Sequence, residues 1–341
     1  AGTVDIDQSK VIEKGRLGPG QMIAVDTARG IVLRNDELKQ EVANRQPYAE
    51  WLRAGRIALD ICPEPDEPSV VPVDADAKTR AALTKVKPEV VARQRAFGYT
   101  AEDIRLIVTP MAGEHKEPTW SMGDDAPLAV LSDVPRPLSA YFRQRFAQVT
   151  NPAIDSLRER TVMALDAFIG PRSNPLVESP DQAKLIHLRS VVLAGNELDA
   201  LRKQQAIPVT DISTVFDLES ETLEAAIERI CDEALAVAAG PGGLIVFTDT
   251  ALDATHAAVP MTLVAGAVHH RLIDAQLRTR VDFVCESGDV WDVHQLALLI
   301  GYGASAVYPY LALEASAALA GTRGYETTRP LELRRNYIYM M

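Results

Sequence analysis

The run Leu244-Ile245-Val246-Phe247-Thr248 decides the fold class of this chain. An uninterrupted run of this kind, preceded by the turn residues Gly240-Pro241-Gly242-Gly243, predicts a short strand that is buried on both faces. The pattern continues toward the C-terminus, with strands predicted at 281–285 and 304–307 and helices predicted at 260–278, 293–300 and 310–320. Strands that alternate with helices indicate parallel pairing through right-handed crossovers. The last third of the chain is therefore predicted to be α/β.

The first part of the chain predicts a β-hairpin followed by a short helix. Residues 22–26 and 31–34 are short apolar runs separated by Thr27-Ala28-Arg29-Gly30, and this glycine suits a turn residue with positive φ. Asn35 or Asp36 is the predicted cap of the helix that follows.

Composition marks one domain boundary in the chain. Residues 62–76 hold four prolines and five acidic residues, which favours an extended linker. The predicted segments are a hairpin-and-helix unit at 1–60, a linker at 61–80 and an α/β domain at 81–325. The predicted fold class is α/β, with a mostly parallel sheet and flanking helices that form either an open sheet or a degenerate barrel.

The middle of the chain has weaker patterns. A helix is predicted at 81–96, where Pro88 must kink or divide it. Residues 103–109 fit either a strand or the end of a helix. Apolar residues at helical spacing predict two further helices, at 138–149 and 154–168.

Length and charge limit the classes of function. A chain of 341 residues suggests about two domains. There are 35 Lys and Arg against 47 Asp and Glu, and the net charge of −12 argues against a nucleic-acid partner, because phosphates would repel the chain. No apolar run is long enough to span a membrane, and the first residues do not resemble a signal peptide.

The cysteines indicate neither a disulfide framework nor a metal or cluster site. Cys62, Cys231 and Cys285 are odd in number and far apart in the sequence. Together with the absence of membrane and export signals, this predicts a cytoplasmic protein with reduced thiols and no membrane partner.

Histidines and carboxylates offer one candidate metal site. His269 and His270 are adjacent on a predicted helix, so their side chains diverge by about 100°, whereas metal-binding pairs on a helix need i, i+4 spacing. His294, Glu286 and Asp249 could converge at strand ends. Structural histidines at a helix–sheet interface are the better interpretation.

Two loops could carry chemistry. The glycines at 240–243 precede a strand, whereas phosphate-binding loops follow one and open a helix, so a tight turn is favoured. The adjacent Asp124 and Asp125 in the string SMGDD at 121–125 could bind a cation or act as acid and base, but a turn again fits better. No nucleophile–base spacing is evident, so no catalytic, cofactor-binding or metal-binding residue is assigned.

Several longer strings together resemble the large chain of glutamate synthase. KGRLGPGQMIAVD at 14–26 is similar to the end of its glutamine amidotransferase domain, and PYAEWL at 47–52 follows at the expected place. The strings that resemble its central domain are SMGDD at 121–125, PLAVLS at 127–132, YFRQ at 141–144, FAQVTNP at 146–152, GAVHH at 266–270 and LLIGYGA at 298–304. They are ordered along the chain, so the resemblance covers nearly all of it.

The resemblance implies a division of labour in the parent enzyme. One domain hydrolyses glutamine, and the ammonia passes internally to a domain that carries FMN and an iron–sulfur cluster. There it is added to 2-oxoglutarate, and the imine is reduced to glutamate. The central domain is implied to be an α/β body, similar to a degenerate flavin barrel, that holds the two active sites in register and supplies part of the ammonia channel wall. The implied partners are the amidotransferase and flavin synthase domains of the same chain, with a reductase small subunit as a further candidate.

The resemblance also implies that this chain is a piece of the parent. The amidotransferase nucleophile of the family is a cysteine at the mature N-terminus, whereas residue 1 here is Ala1. Residues 326–341 are implied to be a connector toward the flavin domain, which would follow Met341. We expect the chain alone to be inactive and to hold no cofactor. Met122, Thr150 and Asn151 resemble channel-entry positions, where an apolar side chain can shape a gate and a hydroxyl can hydrogen bond to ammonia.

Two other functions stay open on the sequence alone. The chain could be a self-contained α/β enzyme domain that binds its own phosphate or flavin. It could also be a docking module that makes no contribution to a channel.

Overall fold

The computed structural model describes residues 5–64, 88–118, 130–131, 136–143, 145, 154 and 162–341. The chain divides into two compact units, of which the smaller comprises 1–55 with 178–183 and the larger comprises 56–177 with 184–341. The segment boundaries expected from the sequence stay a prediction.

The smaller unit contains the predicted hairpin. Its elements are β1 (Ala24–Asp26), β2 (Ile31–Leu33), α1 (Asn35–Ala43), α2 (Tyr48–Gly55) and the 3-10 turns Gln8–Lys10 and Pro180–Ala183. The two strands pair antiparallel with Val25 opposite Val32. Gly30 has φ +70° and donates its N–H to the carbonyl of Asp26 at 2.8 Å, a conformation that glycine adopts without strain. The predicted hairpin and helix are confirmed.

The larger unit begins its helical part with two helices. They are α3 (Pro88–Ala96) and α4, which runs through Ala101–Asp103, the π-helical turn Ile104–Val108 and Thr109–Gly113. The Thr100 hydroxyl caps α4 by accepting the N–H of Asp103 at 3.1 Å. Pro110 lacks an N–H and would meet the carbonyl four residues earlier, and the wider π turn accommodates it. Residues 103–109 are therefore helical, which excludes the strand alternative. Of the helix predicted at 81–96, residues 81–87 lie outside the described residues.

The helix predicted at 138–149 is wrong where the structure describes it. One 3-10 turn covers Leu138–Tyr141, and Phe142 is extended with φ −99° and ψ 143°. The Phe142 ring packs edge-to-face on Tyr302 with 5.8 Å between centroids. A contact with a residue distant in sequence thus overrides the local apolar spacing.

The helix predicted at 154–168 is also wrong at its end, which is a strand. β3 (Ala167–Ile169) pairs antiparallel with β4 (Ile186–Leu188). The Phe168 ring stacks on the His187 ring of the partner strand at 4.8 Å. Cross-strand pairs of this kind stabilise the extended conformation over the helical one.

A parallel sheet forms the centre of the larger unit. In chain order its further elements are α5 (Gly195–Lys203), β5 (Val209–Ser213), β6 (Val215–Asp217), α6 (Leu223–Ala239), β7 (Gly243–Thr248), β8 (His256–Ala258), α7 (Met261–Asp274), β9 (Val281–Glu286), α8 (Val293–Gly301), β10 (Ala306–Tyr308), α9 (Tyr310–Ala317) and α10 (Pro330–Met340). The sheet order is β10-β9-β7-β5 with parallel pairing throughout, and the short β6 and β8 pair antiparallel. Within the described residues the four parallel strands make a linear row. The predicted α/β fold is confirmed.

The sheet separates two apolar clusters. Because neighbouring strands follow chain order, right-handed crossovers place α6, α7 and α8 on one face, where they pack on side chains such as Phe247 and Phe283. The opposite face, which includes Val246, is covered by α5, β3 and β4. A third cluster joins α3, α4, α9 and α10 around Met111 and Tyr337.

Two predicted helices end earlier than expected. α7 ends at Asp274 because Gln276 takes the left-handed conformation with φ +61°, and α9 ends at Ala317. Among the described residues, no helix has both the length and the apolar character that crossing a membrane requires. The cytoplasmic location stays a prediction.

Candidate functional site

The carboxyl ends of the parallel strands bring polar side chains together. Thr248 at the end of β7 is in register with Glu286 at the end of β9, so the residues that follow each strand leave the sheet side by side. Asp249 follows β7, and Ser287-Gly288-Asp289 follows β9. Ligands of open α/β sheets bind at this edge, so its contents decide what the domain can do.

A closed hydrogen-bond network occupies this edge, and we call Asp249, Ser287, Gly288 and Asp289 the acid cluster. The Ser287 Oγ lies 2.7 Å from Asp249 Oδ2 and 2.7 Å from Asp289 Oδ1. The Gly288 N–H donates to Asp249 Oδ1 at 3.0 Å, and the Met261 N–H, at the start of α7, donates to Asp289 Oδ2 at 2.9 Å. The network therefore fixes the loop after β9 to both β7 and α7.

Burial makes the acid cluster electrostatically unusual. Asp249 is 1% exposed, and burial, with the Asp289 carboxylate as the second cause, raises the pKa of Asp249 to about 8. Burial also raises the pKa of Asp289. The neighbouring Tyr310 is 4% exposed, and burial together with Asp249 raises the pKa of its phenol.

The other face of the same edge holds an ion-pair network. Arg202 of α5 donates to Asp211 of β5 at 2.6 Å and to Glu286 of β9 at 2.7 Å. Hydrogen bonds and charges of these two carboxylates raise the pKa of Arg202 despite its partial burial. Glu286 therefore stabilises the packing of α5 on the sheet. This role could not be predicted from the sequence.

The structure does not bring the candidate metal ligands together. Asp249 binds the loop after β9, Glu286 binds Arg202 on the opposite face, and His294 donates from Nε2 to the carbonyl of Ser139 at 3.0 Å. Within the part of the chain that the structure describes, no group of three or more His, Cys, Asp or Glu residues could hold a metal ion.

His269 is structural, as the sequence suggested for a histidine at a helix–sheet interface. Arg278 donates from Nε to His269 Nδ1 at 3.0 Å and from its two terminal nitrogens to the carbonyls of Val281 and Gly303. Burial lowers the pKa of His269, with Arg278 as the second cause, so its ring acts as a neutral acceptor. Arg278 also lies 4.1 Å from the Phe283 ring, which places this pair at the helix–sheet interface.

The glycine loop at 240–243 is a tight turn between α6 and β7, as predicted. Gly242 and Gly243 have φ +71° and +124°. A Cβ at Gly242 would lie 2.5 Å from the carbonyl oxygen of Arg280, and one at Gly243 would overlap the carbonyl oxygen of Pro208. The glycines are thus required by close backbone packing.

The predicted channel residues Met122, Thr150 and Asn151 lie outside the described residues, as do Asp124 and Asp125. The role of the first three stays a prediction.

A groove of about 740 Å³ lies on the α5 and α10 side of the larger unit. Its charged lining residues are Arg189, Arg335, Glu64 and Glu197, so the two charge signs are balanced. The Glu197 carboxylate already accepts the N–H of Ala194 at 2.8 Å, so the start of α5 has its own cap. The groove therefore lacks the net positive character of an anion site.

Sequence reasoning found Asp249 but missed Ser287, Asp289 and Arg202. A signal for the first two was present, because polar residues directly follow the buried strand predicted at 281–285. Arg202 carried no local signal, since both of its partners are distant in sequence.

Two family models match the chain in order. The class-II glutamine amidotransferase model matches residues 1–51, and the glutamate synthase central domain model matches residues 92–340. The chain belongs to the glutamate synthase central domain family. This confirms the resemblance inferred from the strings at 14–26 and beyond.

Relatives of this family are similar to the chain over nearly its whole length. Ferredoxin-dependent glutamate synthase 2 of Synechocystis sp. is 43% identical over 319 residues, which are 92% of this chain and 20% of that protein. The chloroplastic ferredoxin-dependent glutamate synthase of Oryza sativa is 43% identical over 318 residues, 92% of this chain and 19% of that protein. The glutamate synthase [NADPH] large chain of Azospirillum brasilense is 41% identical over 333 residues, 97% of this chain and 21% of that protein. The chain spans about a fifth of the length of these relatives.

Proposed function

We propose that this glutamate synthase central domain connects the glutamine-hydrolysing and the flavin-dependent parts of a glutamate synthase and contributes to the wall of its ammonia channel. The observation that carries the connecting role is the order of the two family matches, with amidotransferase sequence at 1–51 and central-domain sequence after it at 92–340. A segment in this position joins the two catalytic parts along the chain.

The structure of the sheet edge supports a connecting role over an independent active site. The acid cluster hydrogen bonds to itself and to the backbone of Met261. A Cβ at Gly288 would overlap the Phe97 ring, so the loop after β9 is packed against the helical part of the domain. The edge that holds the ligand in many α/β enzymes is filled by the protein's own side chains. This favours a scaffold over a self-contained phosphate- or flavin-binding enzyme.

The proposed partners are the amidotransferase and flavin synthase domains of the same parent chain. FMN and an iron–sulfur cluster are proposed to belong to the parent protein and to be bound outside this segment. One relative is named ferredoxin-dependent and another is named as the large chain of glutamate synthase [NADPH], and we propose a reductase small subunit as one candidate partner of the parent.

The physical reason for a channel is the protonation of ammonia. At neutral pH free ammonia in water is mostly ammonium, which is not a nucleophile. A path shielded from water preserves the neutral form until it reaches the acceptor. We propose Met122, Thr150 and Asn151 as the residues of this segment at the channel entry, on the resemblance of their strings to the family.

The test is a Thr150→Leu substitution in the full-length glutamate synthase that contains this segment. A channel residue predicts that glutamine hydrolysis continues while less glutamate forms per glutamine consumed, because ammonia escapes or is delayed. Thr327→Leu, at an exposed position, is the matched control and should leave this ratio unchanged. An unchanged ratio in a folded Thr150 variant would contradict the channel role, and a proportional fall of both activities would indicate damage to the fold instead.

A further inference from the structure

One hydroxyl group in the acid cluster faces two carboxylates at once. Ser287 Oγ lies at 2.7 Å from both Asp249 Oδ2 and Asp289 Oδ1, and it also accepts the backbone N–H of Asp289 at 3.2 Å. A serine hydroxyl carries a single hydrogen, and an ionised carboxylate carries none. One of the two short contacts therefore needs a second hydrogen, which only a carboxyl group of the pair can supply.

The surroundings decide which carboxyl group carries that hydrogen. Asp289 is less buried than Asp249, and it accepts the first N–H of α7, where the helix dipole favours a negative charge. Asp249 is 1% exposed, and the Gly288 N–H lies 3.0 Å from its Oδ1 and 3.1 Å from its Oδ2, so Oδ1 can accept this N–H as the carbonyl oxygen of a neutral acid. The arrangement fits a neutral Asp249 and an ionised Asp289.

We propose that Asp249 is a buried proton-binding site, in which its carboxylic acid donates from Oδ2 to Ser287 Oγ while Ser287 donates to the Asp289 carboxylate, and that this proton locks the loop after β9. We call Asp249, Ser287 and Asp289 the relay, and together these three groups carry one net negative charge. When the proton leaves Asp249 for solvent, both carboxylates are charged and only one hydrogen remains between them.

The groups that face the relay leave its charge uncompensated. Cys285 of β9, Tyr310 of α9 and Tyr99, which precedes α4, are neutral at neutral pH, and burial raises the pKa of each. The cation nearest to Tyr310 in the contacts is Arg93, 5.8 Å from the Tyr310 ring, and it is paired with Glu314 at 2.9 Å. A second negative charge at the relay therefore has no free counter-charge among these neighbours.

The locked loop joins two of the apolar clusters. Gly288 packs against Phe97, and Trp291 lies 4.3 Å from the Tyr99 ring. Asp292 then caps α8 by accepting the Gln295 N–H at 2.8 Å. Release of the loop would separate the helical part of the unit from the sheet.

The sign of the pH dependence follows from the raised pKa. Asp249 titrates with a pKa of about 8 in the folded protein against 3.8 when free, so between these values the folded state binds one more proton than the unfolded state. The stabilisation by this proton is complete below the pKa of the free carboxyl group. It is lost as the pH rises through the pKa that Asp249 has in the folded protein. For one proton, the unfolding equilibrium constant changes by up to about tenfold per pH unit in this window.

The test compares urea unfolding of the wild-type protein and of Asp249→Asn from pH 5 to 9 at fixed ionic strength. The amide that this substitution introduces keeps a donor toward Ser287 and an acceptor toward Gly288, but it cannot titrate. We expect the ratio of the wild-type to the variant unfolding constant to rise with pH by up to about tenfold per unit. Asp274→Asn, which removes an exposed acid at the end of α7, is the control and should keep the wild-type pH dependence. A pH-independent ratio between wild type and Asp249→Asn would overturn the proposal.

A second measurement does not depend on the variant being folded. The infrared spectrum of the wild-type protein at pH 6 should contain the carbonyl stretch of a buried carboxylic acid, and this band should disappear as the pH rises to 9. Its absence at pH 6 would overturn the proposal even if the Asp249 variant failed to fold. If the variant folds, loss of the band in Asp249→Asn and its persistence in Asp274→Asn assign the proton to Asp249.

Discussion

Replacing Gly243 by alanine should destabilise the larger unit strongly. Gly243 is the first residue of β7 and has φ +124°, a conformation that residues with a side chain rarely adopt. A Cβ there would overlap the carbonyl oxygen of Pro208, the same oxygen that accepts the Leu244 N–H at 2.8 Å. The substitution thus strains the backbone and disturbs the first hydrogen bond between β7 and the chain entering β5.

The magnitude can be worked from these two effects. Forcing a residue with a Cβ into a disfavoured region of positive φ costs about 1–3 kcal/mol. Weakening one backbone hydrogen bond costs about 0.5–1.5 kcal/mol more. We therefore expect Gly243→Ala to lower the free energy of unfolding by about 3 kcal/mol.

Gly301→Ala is the matched control, because it makes the same chemical change where space is free. Gly301 is the last residue of α8, and a Cβ there meets no atom within 4 Å. Alanine should leave the free energy of unfolding unchanged or raise it by up to about 1 kcal/mol, since it restricts the unfolded chain and favours the helix.

The assay is urea unfolding followed by far-UV circular dichroism, with the midpoint and the slope fitted separately. We expect the midpoint to move down for Gly243→Ala and to stay or move up for Gly301→Ala, with little change in slope. A Gly243 variant within about 0.5 kcal/mol of wild type, the range of an ordinary surface substitution, would refute the packing argument. That outcome would reopen the possibility that these glycines serve a ligand.

Two further predictions concern thiol reactivity and one histidine. Cys62 is exposed and should react with a disulfide reagent in the native protein, whereas Cys285 should react only after unfolding, because it is buried and burial raises the pKa of its thiol; rapid native labelling of Cys285, located by peptide mapping, would contradict this. The hydrogen bond to Asp253 raises the pKa of His256 above 6.5, so the stabilisation from this pair is present below that value and is lost as the pH rises through the raised pKa. An NMR titration should show the pKa of His256 falling in Asp253→Asn, and an unchanged value would exclude Asp253 as the cause.

Much of the sheet could be predicted because its signals are local. The residues at 244–247, and those at 281–285 apart from Asp282, are apolar without a helical or alternating period, and a strand accommodates such a run when both of its faces are buried. Gly30 likewise predicted the hairpin turn, since few other residues adopt its conformation. The family could also be identified from ordered strings, because sequence similarity does not depend on knowing the contacts.

The misassigned elements depend on partners that are distant in the chain. Phe142 is extended because its ring packs on Tyr302, and Phe168 is in a strand because it pairs with His187. Neither partner is visible in a window of helical periodicity. At these positions the tertiary contact determines the backbone conformation more strongly than the local spacing of apolar residues does.

The candidate site shows the same division. The sequence by itself determined that Asp249 and Glu286 stand at the ends of buried parallel strands, since strand ends follow from the apolar runs. Only the tertiary structure decided that these two carboxylates serve different networks, Asp249 with Ser287 and Glu286 with Arg202. The physical reason is that successive residues of a strand alternate between the faces of a sheet, and each face is covered by elements that the sequence does not order in space.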